Sequence, residues 1–449
     1  MNETRNDIPE DLPAPLFESY RVTAYRGGRI FFGPLHSYYA AQPRELRSAL
    51  RQVPGEHSLE SVDGRLYLTV NTYRSSRPNY LLHAGLFVAT LITTTVSGAV
   101  QRRAGFLPGL EVAARIMAYI QQILLTVAGG IEILLRWTLG EISSLQYAVG
   151  QLLSPLAKDT LWLAGGLPFS LTLLAILGAH ELCHYAAARR RGIRCTLPYF
   201  LPVPFLIGTL GALIRVRSPF VHRRALLEVG VAGPLASFVL GATAIGIAII
   251  IDDVRVGPLM LNRAGEVVIL HDSLFLYSVL NMVFATDPNE TLYVGQVFWA
   301  GWIGMFVTML NLLPVGQLDG GHVLYAVSRK AHQKLQKPLL WAMFISGLAG
   351  FVMNTADGLI RSYGQPMFWL KPIATATPPV WPGWLFWALV ILFFLRSSHP
   401  PVLEERVSLD GFRIALAVAA AIVLILTFIP NPISILPRVP LIPPGGFPV

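Results

Sequence analysis

The chain has 449 residues, of which 53% are hydrophobic and only 14% charged, with a formal net charge of +9. A soluble domain carries about 25% charged residues, so this composition excludes an ordinary soluble globular protein and predicts a polytopic α-helical membrane protein. The positive balance does not point to nucleic acid: the Arg and Lys residues stand in short loops beside apolar runs, as the positive-inside bias predicts, and no basic patch is interleaved with aromatics.

Residues 1–79 read as a disordered, acidic, Pro-rich leader to about Leu16 and then a small soluble α+β domain. The leader has neither a signal-peptide nor a transit-peptide pattern. Tyr20 to Tyr25 alternates like a strand, Gly27-Gly28 turns, Arg29 to Phe32 returns, Gln42 to Gln52 reads as a short amphipathic helix, and Asp63-Gly64 leads into a last strand over Arg65 to Val70. His36 and His57 are expected on its surface. Residues 80–160 hold a first membrane helix, Tyr80 to Val100, and then a segment from Gln101 to Lys158. That segment is apolar but carries Arg115, Gln121, Gln122, Glu132 and Arg136, so an interfacial or re-entrant helix fits as well as a span.

Residues 161–329 form the expected core. Leu161 to Ala179 is apolar for roughly the 20 residues that a bilayer needs, and the helix continues to Arg189. Arg189, Arg190, Arg191 and Arg194 place that end in the cytoplasm. Thr196 to Phe220 holds too many Pro and Gly residues for one straight helix. Within it Gly208, Thr209, Leu210, Gly211 and Ala212 predict a re-entrant hairpin or edge strand whose backbone can approach another chain. Ala225 to Ile251 is the next span, where Gly233 and Ser237 form a small-xxx-small pair suited to close helix contact. Asp252 to Tyr293 reads as a polar outer loop. The span from Val294 ends in NLLPVGQLDGGH, Asn311 to His322, and the basic residues from Arg329 to Lys337 again mark the cytoplasmic side. Residues 330–449 add three apolar segments, Pro338 to Met353, Trp384 to Leu395 and Ile414 to Ile429, and a Pro-rich tail. The sum is about six to eight transmembrane helices.

The chemistry concentrates in LGAHELCHYAAARR, Leu177 to Arg190. His180, Glu181 and His184 form an H-E-x-x-H pattern, and on a helix positions i and i+4 share a face. Both imidazoles can therefore meet one metal, with Glu181 beside it to handle a proton. Ionisable groups at the end of a membrane helix are costly and are functional candidates for that reason. The parity of the spans brings Asp319 to the same side and depth as the His pair, so Asp319 is the expected third ligand of one Zn²⁺ per chain. Three protein ligands leave a catalytic zinc its open position. Glu181 is the expected general base and Asn311 a donor to the oxyanion or to substrate backbone. The only two cysteines, Cys183 and Cys195, are expected to be small buried or interfacial residues, and His322 a cap or interfacial contact.

These residues resemble the site-2 protease family of intramembrane zinc metalloproteases. Its first motif stands here as His180-Glu181-Leu182-Cys183-His184. Its second, N-x-x-P-x-x-x-L-D-G, stands as Asn311, Pro314, Leu318, Asp319 and Gly320. The family's middle G-x-x-x-N/S/G pattern is similar to Gly233 to Ser237. The resemblance implies a zinc metalloendopeptidase that works within the lipid bilayer on transmembrane protein substrates. Such a helix must unwind, because its amides are hidden in its own backbone bonds. Gly208, Thr209, Leu210, Gly211, Gly233 and Ser237 are the expected substrate-binding residues, the first four by β-addition. The outer loop is too short for a PDZ domain and no room remains for a CBS pair, which leaves the bacterial and plastid subgroup. The leader favours a plasma membrane location, multi-pass, with the active site near the cytoplasmic side. Two other readings compete. A transporter would carry ions or protons on the intramembrane His and Asp residues but would favour inverted repeats, which are not found. A catalytically silent metal-binding scaffold would have no need of Glu181.

Overall fold

The structure is a computed structural model that describes residues 16–25, 28–53, 56–62, 64–71, 79–104, 163–203, 207–218, 220–258, 267–284, 290–363, 371–374, 380–393, 402, 404 and 407–436. The expected leader (1–15), most of the segment expected as an interfacial or re-entrant helix (105–158) and the Pro-rich tail (437–449) lie outside the described residues.

The N-terminal region is a four-stranded antiparallel sheet with two helices. β1 (Arg21–Tyr25) and β2 (Gly28–Pro34) form the first hairpin, α1 (Ser37–Ala41) and α2 (Pro43–Gln52) follow, and β3 (Glu56–Val62) and β4 (Arg65–Asn71) form the second. The strand order is β1-β2-β4-β3. Pro43 starts α2, where its missing N–H costs nothing, and Leu46 and Leu50, one turn apart, face a core of Phe31, Leu68 and Val70. The sequence did not reveal β3. Its residues EHSLESV have no apolar stripe. It is a strand because the turn at Gly64 (φ 81°) folds it onto β4, with Val62 opposite Arg65.

Beyond it, α3 (Tyr80–Ala104), α4 (Leu167–Arg190) and α5 (Arg223–Ile250) are long apolar helices. The hairpin β5 (Tyr199–Pro202) and β6 (Thr209–Leu213) lies between α4 and α5 in sequence. Residues expected as a polar outer loop instead form β7 (Val254–Pro258), β8 (Val267–Leu270), α6 (Leu274–Val283) and β9 (Glu290–Val294). β7 pairs with β9, and α6 starts where Ser273 Oγ accepts from the Leu276 amide. Scattered charges hid the alternating valines of β7 and the apolar run of α6 from a reading by polarity.

Next come α7 (Gln296–Leu312), α8 (Asp319–Val327), α9 (Arg329–Tyr363), α10 (Lys371–Ala374), α11 (Gly383–Phe393), α12 (Gly411–Thr427) and β10 (Ile433–Leu436), which pairs with β8. The protein is mostly helical, and among the described residues α3, α4, α5 and α9 contain stretches of 23, 24, 28 and 28 residues that are apolar enough to cross a membrane. Twenty-four residues rise about 36 Å, against a hydrocarbon core of about 30 Å.

The centre is a three-helix packing of α4, α5 and α7. Phe169, Leu173 and Leu177 recur every four residues on α4 and meet Ile245 and Ala248 of α5 and Phe298, Trp302 and Met305 of α7. α12 covers α5 and α8 through Ala420 and Val423, and α11 brings Trp384 against Met309 and Leu310. The last turns of α4 and α7 and the start of α8 are thereby held side by side.

Candidate metal and catalytic centre

His180, Glu181 and His184 are buried on α4, exposed by only 4, 7 and 5%. α4 ends soon after them because Gly192 takes a left-handed conformation (φ 69°). Asp319 reaches the same point from α8. α7 stops at Leu312 because Pro314 pushes Leu313 out of the helical region (ψ 131°). The chain then folds back tightly: a side chain at Gly320 would overlap the Leu312 carbonyl, and one at Gly321 the Gly316 carbonyl. The two glycines therefore let α8 begin against the end of α7, with Asp319 as its first residue.

His180 Nε2 and His184 Nε2 lie 3.0 Å apart, and Asp319 Oδ2 is 3.2 Å from each. His184 Nδ1 donates to the Val229 carbonyl at 2.6 Å, so in the neutral ring the Nε2 lone pair faces the other two acceptors. His180 Nδ1 is 3.0 Å from Ser237 Oγ, and Thr308 of α7 donates to that hydroxyl at 2.8 Å. Converging lone pairs of this kind repel unless a cation lies between them. The three ligand atoms fall within 4.8 Å of one another, and theirs is the one such group among the described residues. A tetrahedral zinc with bonds of about 2.0–2.1 Å would set its ligand atoms about 3.3–3.4 Å apart, close to the separations present. The donor set fits zinc.

Other expected residues fall in different places. Asn311 Nδ2 is 3.4 Å from His180 Nε2, beside the cluster. The Ile214 backbone amide, one residue past β6, lies beside the Glu181 carboxylate. On β6 itself, Leu210 is 60% exposed, while Thr209 is buried and its Oγ1 accepts from the Gly211 amide. The pairing with β5 is irregular between Phe200 and Pro202, opposite Leu210 and Gly211. Gly208 faces α3, where its carbonyl accepts from Thr93 Oγ1 at 2.6 Å. Gly233 and Ser237, expected to bind substrate, pack against His184 and His180. The small residues serve the approach of α5 to the metal-site rings. His322 packs near the Phe220 ring, away from the cluster.

Val229 and Thr308 were missed by the sequence reading. A backbone carbonyl leaves no letter, but Thr308, one turn before Asn311 in an apolar run, was a readable signal. Outside the membrane segments, burial pushes the Cys195 thiol up to about 11 against the opposing Arg189 charge.

Fold and site together define a helical membrane protein in which a half-buried Asp319 meets the buried His180, Glu181 and His184. Residues 168–354 match the family model for peptidase family M50, and both motifs of the site-2 protease resemblance lie in that segment. The chain is 26% identical over 273 residues to a protein of Oryza sativa subsp. indica named probable zinc metalloprotease EGY2, chloroplastic, covering 60% of this chain and 44% of that one. It is 27% identical over 271 residues to the probable zinc metalloprotease EGY1, chloroplastic, of Arabidopsis thaliana, covering 59% and 43%. A third relative, the probable zinc metallopeptidase EGY3, chloroplastic, of Arabidopsis thaliana, is 25% identical over 299 residues, covering 63% and 46%. The chain thus spans less than half the length of these relatives. No solved structure matches it.

Proposed function

We propose that this chain is an intramembrane zinc metalloprotease that hydrolyses peptide bonds in or near the transmembrane helices of membrane proteins. The observation that carries the reading is the convergence of His180, His184 and Asp319 with a buried Glu181 one residue from the first ligand. Zinc held there supplies Lewis acidity towards a carbonyl oxygen and acidifies water.

The chain's own groups do the rest. Glu181 accepts a proton at its carboxylate and returns it to the leaving amine. The Ile214 amide lies beside that carboxylate, so the base sits next to the hairpin. Asn311 offers Nδ2 as an oxyanion donor. Among the described residues β6 pairs with β5 alone and Leu210 is turned outwards, so an unwound substrate segment can add there as a strand. His180, His184 and Asp319 hold the metal, and Gly233 and Ser237 hold the His pair. The shorter apolar helices α6, α7, α11 and α12, added to the four long ones, support six to eight spans. The site lies towards the arginine-rich end of α4, the cytoplasmic side for a protein of the plasma membrane. The proposed domains are 1–79 soluble, 80–160 first span and its extension, 161–329 catalytic and 330–449 supporting.

The test pairs metal content with cleavage. Wild type and Glu181→Gln are purified in detergent, assayed for zinc and incubated with a panel of single-span membrane proteins. Both are expected to hold about one zinc per chain, with cleavage by the wild type alone. A wild type without zinc would overturn the reading.

A further inference from the structure

Seven residues beyond His184, at the end of α4, Arg191 meets Glu228 of α5. Arg191 Nε donates to Glu228 Oε2 at 2.5 Å, and its terminal nitrogen donates to Oε1. A second arginine reaches the same carboxylate: Arg413 Nη2, from the first turn of α12, is 2.6 Å from Glu228 Oε1. Arg413 is itself steered by Asp410, the N-cap of α12, which accepts from its backbone amide at 3.0 Å and also from its guanidinium. The side chains of Glu228, Arg191 and Arg413 are only 17, 26 and 13% exposed. Partial burial weakens solvent screening, and the forked geometry adds specificity to the charge.

Glu228 immediately precedes Val229, whose carbonyl holds His184 Nδ1. Arg223 and Arg224 extend the clamp by donating to the Val407 and Ser408 carbonyls at 2.7 and 2.6 Å, and the Glu404 amide donates to the Val221 carbonyl at 2.7 Å. Glu404 and the segment from 407 to 413 are thus tied along the start of α5. It lies outside the span matched by the family model, which ends at residue 354.

We propose that Glu228 and Arg413 are positioning residues for the metal centre. The Arg191–Glu228–Arg413 cluster sets the register of α5 against α4, so that the Val229 carbonyl meets His184 Nδ1 and the His184 Nε2 lone pair points at the metal position. The C-terminal helix α12 is then part of the site's support rather than added scaffold. The inference rests on the metal reading given under Proposed function. Outer partners of a metal ligand matter because they fix its tautomer and orientation, and their loss costs roughly 10–100-fold in metal affinity.

The full chain in detergent is loaded with Co²⁺ as a spectroscopic substitute for zinc. Its visible bands, its release rate to a chelator and the Tm of the metal-free protein are compared for wild type, Glu228→Gln, Arg413→Ala and Arg413→Lys. Glu228→Gln and Arg413→Ala are expected to release Co²⁺ about tenfold faster and to shift the bands. Arg413→Lys, which keeps the charge, should recover part of both. Asp252→Asn, which breaks an exposed pair with Arg255 elsewhere, should change neither. Wild-type bands and release rates in both Glu228→Gln and Arg413→Ala overturn the inference while leaving the metal reading intact. Failure of the wild type to take up Co²⁺ overturns the metal reading, and this inference with it. If Glu228→Gln does not fold, Arg413→Ala decides alone, since it keeps the Arg191–Glu228 fork.

Discussion

Gly233 of α5 lies directly against the imidazole of His184: a methyl group on it would overlap Nε2, the atom that faces the metal position. Inside a helix, Ala is intrinsically better than Gly by about 0.8–1 kcal/mol, so the helix itself would welcome the change. Gly233→Ala should therefore leave the protein folded and lower its zinc content several-fold, as read by metal analysis beside circular dichroism. A variant with full zinc would mean that α4 and α5 can part here without cost.

Ser237 supplies the complementary contact at His180 Nδ1, backed by Thr308. Ser237→Ala removes one oxygen and no bulk. The expected result is roughly tenfold weaker zinc binding in a chelator competition, with Thr308→Val giving a smaller loss. An equal loss in both would assign the effect to the α5–α7 packing rather than to the ring.

The centre was legible in the sequence to an uneven degree. His180 and His184 could be read because an i, i+4 pair needs only one helix. Asp319 could be read because charge and span parity placed it on the same side. The support of the centre was not legible. Val229 acts through its carbonyl, and the Arg191–Glu228–Arg413 cluster joins three helices that sequence leaves far apart. In the fold, the hairpin was signalled by its Pro and Gly residues, whereas β3 and the β7–β9 pair were hidden by polar residues in strands held by their partners.

The exposed face of β6 gives a third prediction. Leu210 points outwards opposite the irregular stretch of β5, so Pro at this position removes an edge N–H without breaking a regular rung. Leu210→Pro should retain zinc and lose most cleavage of transmembrane substrates. Unchanged cleavage would count against strand addition at this edge.

The thiol of Cys195 makes a pH prediction. Its pKa is raised to about 11 by burial, above the ordinary value near 8.5, so the protonated form dominates at neutral pH. The thiolate fraction rises about tenfold for each unit of pH below that value. In Cys183→Ser protein, alkylation followed by mass spectrometry should be slow at pH 8 and about a hundred times faster at pH 10. A rate that levels off by pH 9 would show the thiol to be in an ordinary aqueous setting.

The join between the N-terminal sheet and the core supplies the last prediction. β3 is an edge strand, and its Ser58 and Leu59 face Gly192 just past α4. Next to them Glu60 is 9% exposed and lies 2.9 Å from His222 Nε2, off the line of a good hydrogen bond, so its carboxylate faces this imidazole across the join. His222 has a second task, since its Nδ1 accepts from the Ala225 amide and caps α5. Removing it strips a helix cap, about 1 kcal/mol, and leaves a buried carboxylate without its polar neighbour, about 1–3 kcal/mol. His222→Ala should therefore lower Tm by several degrees. Glu60→Leu should lower it less, because it leaves no charge stranded. Adding Glu60→Leu to His222→Ala should recover much of the loss, and strict additivity of the two changes would show that the pair does not join the sheet to the core.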